Sequence, residues 1–286
     1  MGVDFTSAPT RRKPITAAIG SWHPGRPLPV FRLAEVRLLE SLDDFTALLR
    51  IPGPWTGGFD LPFGQPRPLV EHAGWPTAWS ALVKTYCGQP RPTLRDTFRG
   101  WCDARPVGDK FAWRATDKLA GSSPAMRWAN PPVAWMMHAG IGRMLAAGLV
   151  FPAHRQGSAT RRAARVALEA YPGFTARKVR RGSYKSDLRS AWTADRRANR
   201  RAIVAALESG AAGLDVTLAI DAAWRRRLVA DGGGDQLDAV ICALQAAHAA
   251  ALPGFGLPAD LDPLEGWIAA VPPDEPRRVD SGLGVQ

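Results

Sequence analysis

Five acidic residues occupy positions where a fold could bring them together. Asp4 follows a short apolar stub, Asp60 and Glu169 each end a predicted buried strand, and Asp235 and Asp238 open a late predicted helix. Residues just beyond the carboxyl ends of strands line the usual crevice of an α/β sheet, and residues three apart share a helix face. Carboxylate oxygens suit hard divalent cations such as Mg²⁺ or Mn²⁺. The pattern predicts a catalytic cluster of these five acids, with metal ligation by all except Glu169: Asp4, Asp60, Asp235 and Asp238.

Each acid also has a structural explanation, and the residues alone leave both open. Asp4 and Asp60 stand before prolines and could accept backbone N–H groups in turns. Glu169 could pair with one of the many arginines. In the stretch DGGGDQLDAVICALQAA, Asp235 stands at a typical N-cap position and Asp238 suits the positive end of the helix dipole. Taken alone, that stretch favours capping, and a solvent-facing polar stripe is a further alternative. The joint order and placement of the acids favours a shared site.

The elements that must position these acids follow an α/β pattern. Alternation of apolar and charged residues in VFRLAEVRLL is typical of a strand. GVDFTSAP is predicted to be an extended stub that ends in a turn, and KPITAAIGSW a second strand. Buried strands are predicted for WTGGFDLPFGQP and ARVALEAYP, and LEGWIAAVP is predicted to be a last short strand or helix. Helices are predicted for SLDDFTALLR, with Ser41 or Asp43 near its cap, and for residues 131–149, 194–209 and 215–231, followed by the helix that opens at Asp235.

The predicted organisation is one domain over residues 1–286. Pro, Gly and Trp are dense and periodicity is weak in residues 65–127, which we interpret as a loop-rich and helical insertion after the fourth strand. The Pro-rich residues 272–286 are predicted to form a flexible tail.

Composition limits the classes of partner. The chain has 286 residues, of which 46% are hydrophobic, so it can bury a sizeable core. A net charge of +11 permits binding to a polyanion, although an Arg-, Ala-, Gly- and Pro-rich composition can produce the same basicity. Three cysteines without a CxxC pair predict neither a zinc site nor a disulfide framework. With no signal peptide or membrane span in the pattern, we expect a cytoplasmic protein that does not bind membranes.

The stretch ARKVRRGSYKSDLRSAWTADRRANRR is the most basic part of the chain. Arginines of this density, together with the group Arg161, Arg162 and Arg165, could hold a nucleic-acid backbone without reading its sequence. A solvated helix surface is the alternative. Tyr184 and Trp192 could stack on bases, although packing is the more ordinary role of Trp192. The predicted nucleic-acid contacts are Arg177, Lys178, Arg180, Arg181, Arg196, Arg197 and Arg200.

In their order, the segments GVDFTSAP, GGFDLPFG, EAYP and DQLDAVICALQAA resemble the signature blocks of domain-of-unknown-function family 429. Members of that family are regarded as predicted nucleases with a ribonuclease H-like fold. The resemblance covers most of the chain from Gly2 to the end of the late helix, and covers residues 65–127 poorly. It implies an α/β fold with a ribonuclease H-like mixed sheet flanked by helices.

Such folds place an acid on the central first strand, another at the end of the fourth strand, and one or two on a late helix. The chain also resembles RuvC-type resolvases in the Asp-x-x-Asp spacing of Asp235 and Asp238. The resemblance therefore favours ligation over capping for Asp238. It implies a hydrolase that cleaves phosphodiester bonds in DNA or RNA with bound Mg²⁺ or Mn²⁺. If the cleft binds two such ions, one can activate water while the other stabilises the leaving oxygen.

Two other functions stay open. Actin-like phosphotransferases resemble the same overall fold, and DFTSAP between two strands could surround nucleotide phosphates, although it lacks the usual glycine. A catalytically silent nucleic-acid-binding or scaffold protein could also retain the fold. That function predicts binding that needs no metal and survives Asp4→Asn.

Overall fold

The computed structural model describes residues 1–158, 160 and 163–273. Six strands of the described residues form one sheet in the order β5-β4-β1-β2-β3-β6. Their bounds are β1 (Gly2–Asp4), β2 (Ile15–His23), β3 (Val30–Leu39), β4 (Trp55–Asp60), β5 (Arg165–Glu169) and β6 (Thr217–Ala219). The predicted tail lies outside the described residues from position 274 onward.

The sheet is mixed. β2 runs antiparallel to both β1 and β3, whereas β4 runs parallel to both β1 and β5, and β6 runs parallel to β3. Along β3, buried Phe31 and Leu33 alternate with exposed Arg32, as the period of two requires for a half-buried strand. The predicted α/β class and the first five strands are confirmed. The late segment LEGWIAAVP contributes a single bridge, between Ile268 and Glu169.

Helices flank the sheet. They are α1 (Leu42–Leu49), α2 (Arg67–His72), α3 (Trp79–Gly88), α4 (Arg91–Asp103), α5 (Ala115–Ala120), α6 (Val133–Ala146), α7 (Pro172–Val179), α8 (Ala194–Ser209), α9 (Ala222–Ala230) and α10 (Asp235–Ala251). Ser41 caps α1 by accepting the Asp44 N–H at 3.0 Å. The predicted helices at α6, α8 and α10 are confirmed.

Two sequence-based expectations differ from the structure. The single helix predicted for residues 215–231 is wrong, because the segment forms β6 and then α9, with Asp221 accepting the Trp224 N–H at the start of α9. The apolar run around Leu218 is too short to separate strand from helix by its period alone. Residues 65–127 hold α2, α3, α4 and α5, so this region is more helical than its Pro and Gly content suggests.

The two faces of the central strands pack differently. Val3 and Phe59 face one side, where they join a core with Phe5 and Phe45. On the other side, Gly2 and Gly58 are paired in register, and α10 lies against their bare backbone. A Cβ atom at Gly2 would overlap Ala243 and Ala239, and one at Gly58 would overlap the Cys242 carbonyl. The absence of side chains at these two positions lets α10 approach β1 and β4 directly.

Among the described residues, the structure contains no helix long and apolar enough to cross a bilayer.

Candidate functional site

Asp4 and Asp60 lie side by side at the carboxyl ends of the two central strands. β1 and β4 are parallel and their Cα register pairs Asp4 with Asp60, so the two residues lie one strand spacing apart, about 4.8 Å. Each stands two residues after the glycine that contacts α10, and residues two apart in a strand share a face. Within the described part of the chain, neither carboxylate has a hydrogen-bond or ion-pair partner.

The surroundings favour the protonated form of both carboxyl groups. Burial raises the pKa of Asp60 to about 7, and the negative charges of Asp238 and Glu169 add to that rise against the opposing effect of Lys185. Burial likewise raises the pKa of Asp4 well above its usual range, with contributions from Asp238, Asp235 and Asp60. Two unpaired acids in such a place need a proton or a cation.

Asp238 faces the strand acids from the first turn of α10 and is fully buried. The Tyr184 hydroxyl donates to its Oδ1, and the Lys185 ammonium donates to its Oδ2. The alternative of a solvent-facing stripe is therefore wrong: Asp238, Cys242 and Gln245 are all buried.

The interpretation of Asp235 as an N-cap is also wrong. The N-cap of α10 is Gly234, at φ 80°, and Asp235 is the first helical residue, while the Gln236 N–H in the first turn donates to Asp231 Oδ2 at 3.0 Å. The Lys13 ammonium lies 3.4 Å from Asp235 and also contacts Asp187. Burial raises the pKa of Asp235, while Lys13 opposes the rise. Asp235 thus belongs to the edge of the carboxylate group.

Residues 183–192, which we call the strap, cross the glycines that precede α10. The Ser186 N–H donates to the Gly232 carbonyl at 3.1 Å, and the Trp192 ring lies so close that a Cβ at Gly232 would overlap it. Gly234 is similarly covered by the stem of Lys185. Gly232 and Gly234 therefore make room for the strap and bring its lysine to Asp238.

Glu169 lies in a separate ionic network. The Arg114 guanidinium donates to both of its oxygens, at 2.6 and 2.8 Å, and the Phe63 N–H donates to Oε2 at 3.0 Å. Arg114 also donates to both oxygens of Asp117 and to the Glu265 carbonyl. All the Arg114 nitrogens thus donate within this network. Since both Glu169 oxygens are engaged, its predicted catalytic role has no free carboxylate oxygen to support it here.

A cleft of about 780 Å³ opens over the strand acids. Asp4, Asp60 and Asp235 lie along it, and Lys13 and Lys185 line it as well. Its wall on the α7 side carries three of the predicted nucleic-acid contacts, namely Arg177, Arg180 and Arg181.

The remaining predicted contacts are distributed differently. Arg200 is buried and donates to the Val229 and Tyr184 carbonyls, so its predicted role in binding nucleic acid is wrong. Arg196 donates to the Ala191 carbonyl at the start of α8, and Arg197 is exposed on that helix. The Lys178 ammonium lies 4.2 Å from the centre of the Phe174 ring. Arg161 and Arg162 lie outside the described residues.

Sequence reasoning missed Lys185 and Arg114 and assigned Tyr184 to base stacking. Lys185 belongs to a run of basic residues that resembles a solvated surface, and Arg114 lies in the region without periodicity. The sequence signal for Lys185 was the pair of glycines at 232 and 234, which make room for Trp192 and Lys185. That signal can be interpreted only when the fold is known.

Among the described residues, no three His, Cys, Asp or Glu side chains form a ready-made metal cage. Comparisons with protein-family models, with curated proteins and with solved structures return no match.

Proposed function

We propose that this protein is a metal-dependent nuclease that hydrolyses phosphodiester bonds in DNA or RNA. The observation that carries the proposal is the pair Asp4 and Asp60, two adjacent carboxylates without a partner among the described residues, at the bottom of a cleft with arginines on its wall. Mg²⁺ in phosphoryl-transfer sites is typically held by one or two carboxylates, several waters and the substrate's own phosphate oxygens. A two-carboxylate site thus fits this ion without a complete protein cage.

Each residue of the cleft has a separate role in this proposal. Asp4 and Asp60 hold the ion at the carboxyl ends of β1 and β4. When bound, a divalent cation stabilises the charge that develops on the phosphoryl oxygens and lowers the pKa of a bound water. Arg180 and Arg181 line the cleft and neutralise flanking phosphates. Lys185 adds a positive charge beside Asp238.

The fold proposal is more specific than the observed α/β class. Strands β3-β2-β1-β4-β5, with β2 alone antiparallel to its two neighbours, resemble the mixed sheet of ribonuclease H-like proteins, which supports the proposal of that fold and of kinship with domain-of-unknown-function family 429. Helix α10 across the central strands supports it further, because such folds place a late acidic helix there.

The test compares the wild type with Asp4→Asn and Asp60→Asn for Mn²⁺ binding by calorimetry and for cleavage of fluorescent single-stranded and duplex DNA and RNA. Each variant should lose metal binding and at least a hundredfold of cleavage, since each removes one of two direct ligands. Asp43→Asn is the matched control, because Asp43 is 92% exposed and does not line the cleft.

Absence of Mn²⁺ binding and of cleavage with every substrate would refute the nuclease proposal. Metal-independent nucleic-acid binding that survives Asp4→Asn would instead identify a silent binding protein. Stabilisation by ATP with no effect of oligonucleotides would favour the phosphotransferase alternative.

A further inference from the structure

The strap fixes Lys185 from several directions. The Trp192 indole donates to the Ser186 carbonyl at 2.8 Å, and Arg200 donates to the Tyr184 carbonyl at 2.6 Å. Asn199 donates to the Ser183 carbonyl at 3.0 Å. Because backbone groups on both sides of Lys185 are hydrogen-bonded, and its stem packs on Gly234, the direction in which its side chain leaves the strap is part of the fold.

That ammonium stands where the acids of α10 and the strands meet. It donates to Asp238, and its charge acts on both Asp4 and Asp60. Tyr184 engages the other Asp238 oxygen, so both oxygens of Asp238 already accept a hydrogen bond, and a metal ion at Oδ2 would meet the positive charge of Lys185. Asp235, in contrast, has its own cation in Lys13.

These contacts determine the net charge of the group formed by Asp4, Asp60, Asp238 and Lys185. Asp4, Asp60 and Asp238 carry three negative charges when ionised, and the Lys185 ammonium neutralises one of them. The two charges that remain equal those of one Mg²⁺ or Mn²⁺ ion. A second divalent ion at Asp238 would have to displace the Lys185 ammonium from its ion pair.

We propose that the Lys185 ammonium occupies the position of a second cation, so that the cleft binds one divalent metal ion per chain, between Asp4 and Asp60. This inference rests on the proposed metal-dependent function and determines its metal stoichiometry. Lys185 is a positioning residue: it holds Asp238 away from the metal and leaves the ion to the strand acids.

The number of bound ions tests the inference. Mn²⁺ is titrated by calorimetry, alone and with a short phosphorothioate-linked oligonucleotide, and the loaded protein is examined by electron paramagnetic resonance. Two ions in one site lie about 4 Å apart and give a spin-coupled spectrum, whereas one ion gives an isolated spectrum. The wild type should bind one ion with an isolated spectrum.

Substitution of Lys185 should change that count. Lys185→Met removes the charge and frees one Asp238 oxygen, so it should bind two ions with a coupled spectrum. Lys185→Arg keeps the charge and should still bind one ion. Lys13→Met is the matched control, because it removes a nearby lysine that contacts Asp235 and Asp187 and should also leave the count at one.

Two ions in the wild type would overturn the inference whether or not Lys185→Met folds, and would leave the nuclease proposal intact. One ion in Lys185→Met, with or without tighter binding, would overturn it too. No Mn²⁺ binding by the wild type in either titration would reject the metal-dependent function itself.

Discussion

β4 and β5 are neighbours in the sheet, yet their last residues have opposite surroundings. Glu169 ends β5 among hydrogen-bond donors: Arg114 engages both of its oxygens while also holding Asp117. Asp60 ends β4 facing a cleft, beside another carboxylate and, among the described residues, without an ion-pair partner. Both acids have a raised pKa because they are buried.

The difference distinguishes an acid that a cation fixes in place from one without an ion-pair partner among the described residues. A buried carboxylate that shares an arginine with a second acid is fixed in place and contributes to the integrity of the fold. A buried carboxylate that lacks a partner costs free energy in the folded state, and such groups concentrate at functional sites. Burial and position at a strand end are common to both acids, so the partner decides which class an acid belongs to.

Replacement of Arg114 should cause the largest loss of stability. Arg114→Met leaves Asp117 and Glu169 buried without their cation, so the free energy of unfolding should fall by about 3–5 kcal/mol. Urea unfolding measures the change. Arg67→Met is the control, since its pair with Asp262 is partly exposed and should contribute about 1 kcal/mol or less. Equal losses in the two variants would contradict the distinction.

Displacing the strap that carries Lys185 should have an intermediate effect on stability. In Gly232→Ala the new methyl group would overlap the Trp192 ring, so the strap must shift, at a cost of about 2–3 kcal/mol in the free energy of unfolding. Gly233→Ala is a closely matched control, because its Cβ would have its nearest neighbour at 3.5 Å. Thermal or urea unfolding of the two variants measures the difference in stability. Equal stabilities would show that the strap does not pack tightly against Gly232.

Replacing the unpaired acid should have the smallest effect and the opposite sign. The pKa of Asp60 is about 7 in the folded protein, against 3.8 in the unfolded chain. The stability that this group contributes is therefore fully present below pH 4 and is lost as the pH rises through 7. At pH 8 without metal, Asp60→Asn should therefore be more stable than the wild type, by about 1–2 kcal/mol, because the cleft-facing carboxylate retains part of its hydration.

The pH dependence checks that sign. With a chelator present, urea unfolding at pH 5 and pH 8 should show the gain at pH 8 and a smaller or no gain at pH 5. Asp43→Asn should show neither. A variant less stable than the wild type at pH 8 would mean that Asp60 is paired after all.

Much of the sheet could be predicted from the sequence, because its signals are local. The period of β3, the apolar run of β5 and the Pro and Gly boundaries around β4 each lie within about ten residues. The same locality placed Asp4, Asp60 and Glu169 at strand ends. β6 was missed because three residues are too few for a period to be recognised.

The partners of the acids could not be predicted, since each arrives from a distant part of the chain. Arg114 precedes Glu169 by 55 residues, and Lys185 precedes Asp238 by 53. Nothing in the local sequence distinguishes Arg200, which is buried, from Arg197, which is exposed. Which acids are paired is therefore a property of the tertiary structure.

The bare backbone at Gly2 and Gly58 offers a way to recognise relatives whose sequences have diverged. Each glycine is followed two positions later by a strand acid, so the chain carries the triplet Gly-x-Asp on both central strands. Larger residues at either glycine would push α10 outward and separate Asp238 from the strand acids. A search for two such triplets, followed by Asp-x-x-Asp on a late apolar helix, would select chains by the spacing that assembles the site rather than by overall similarity.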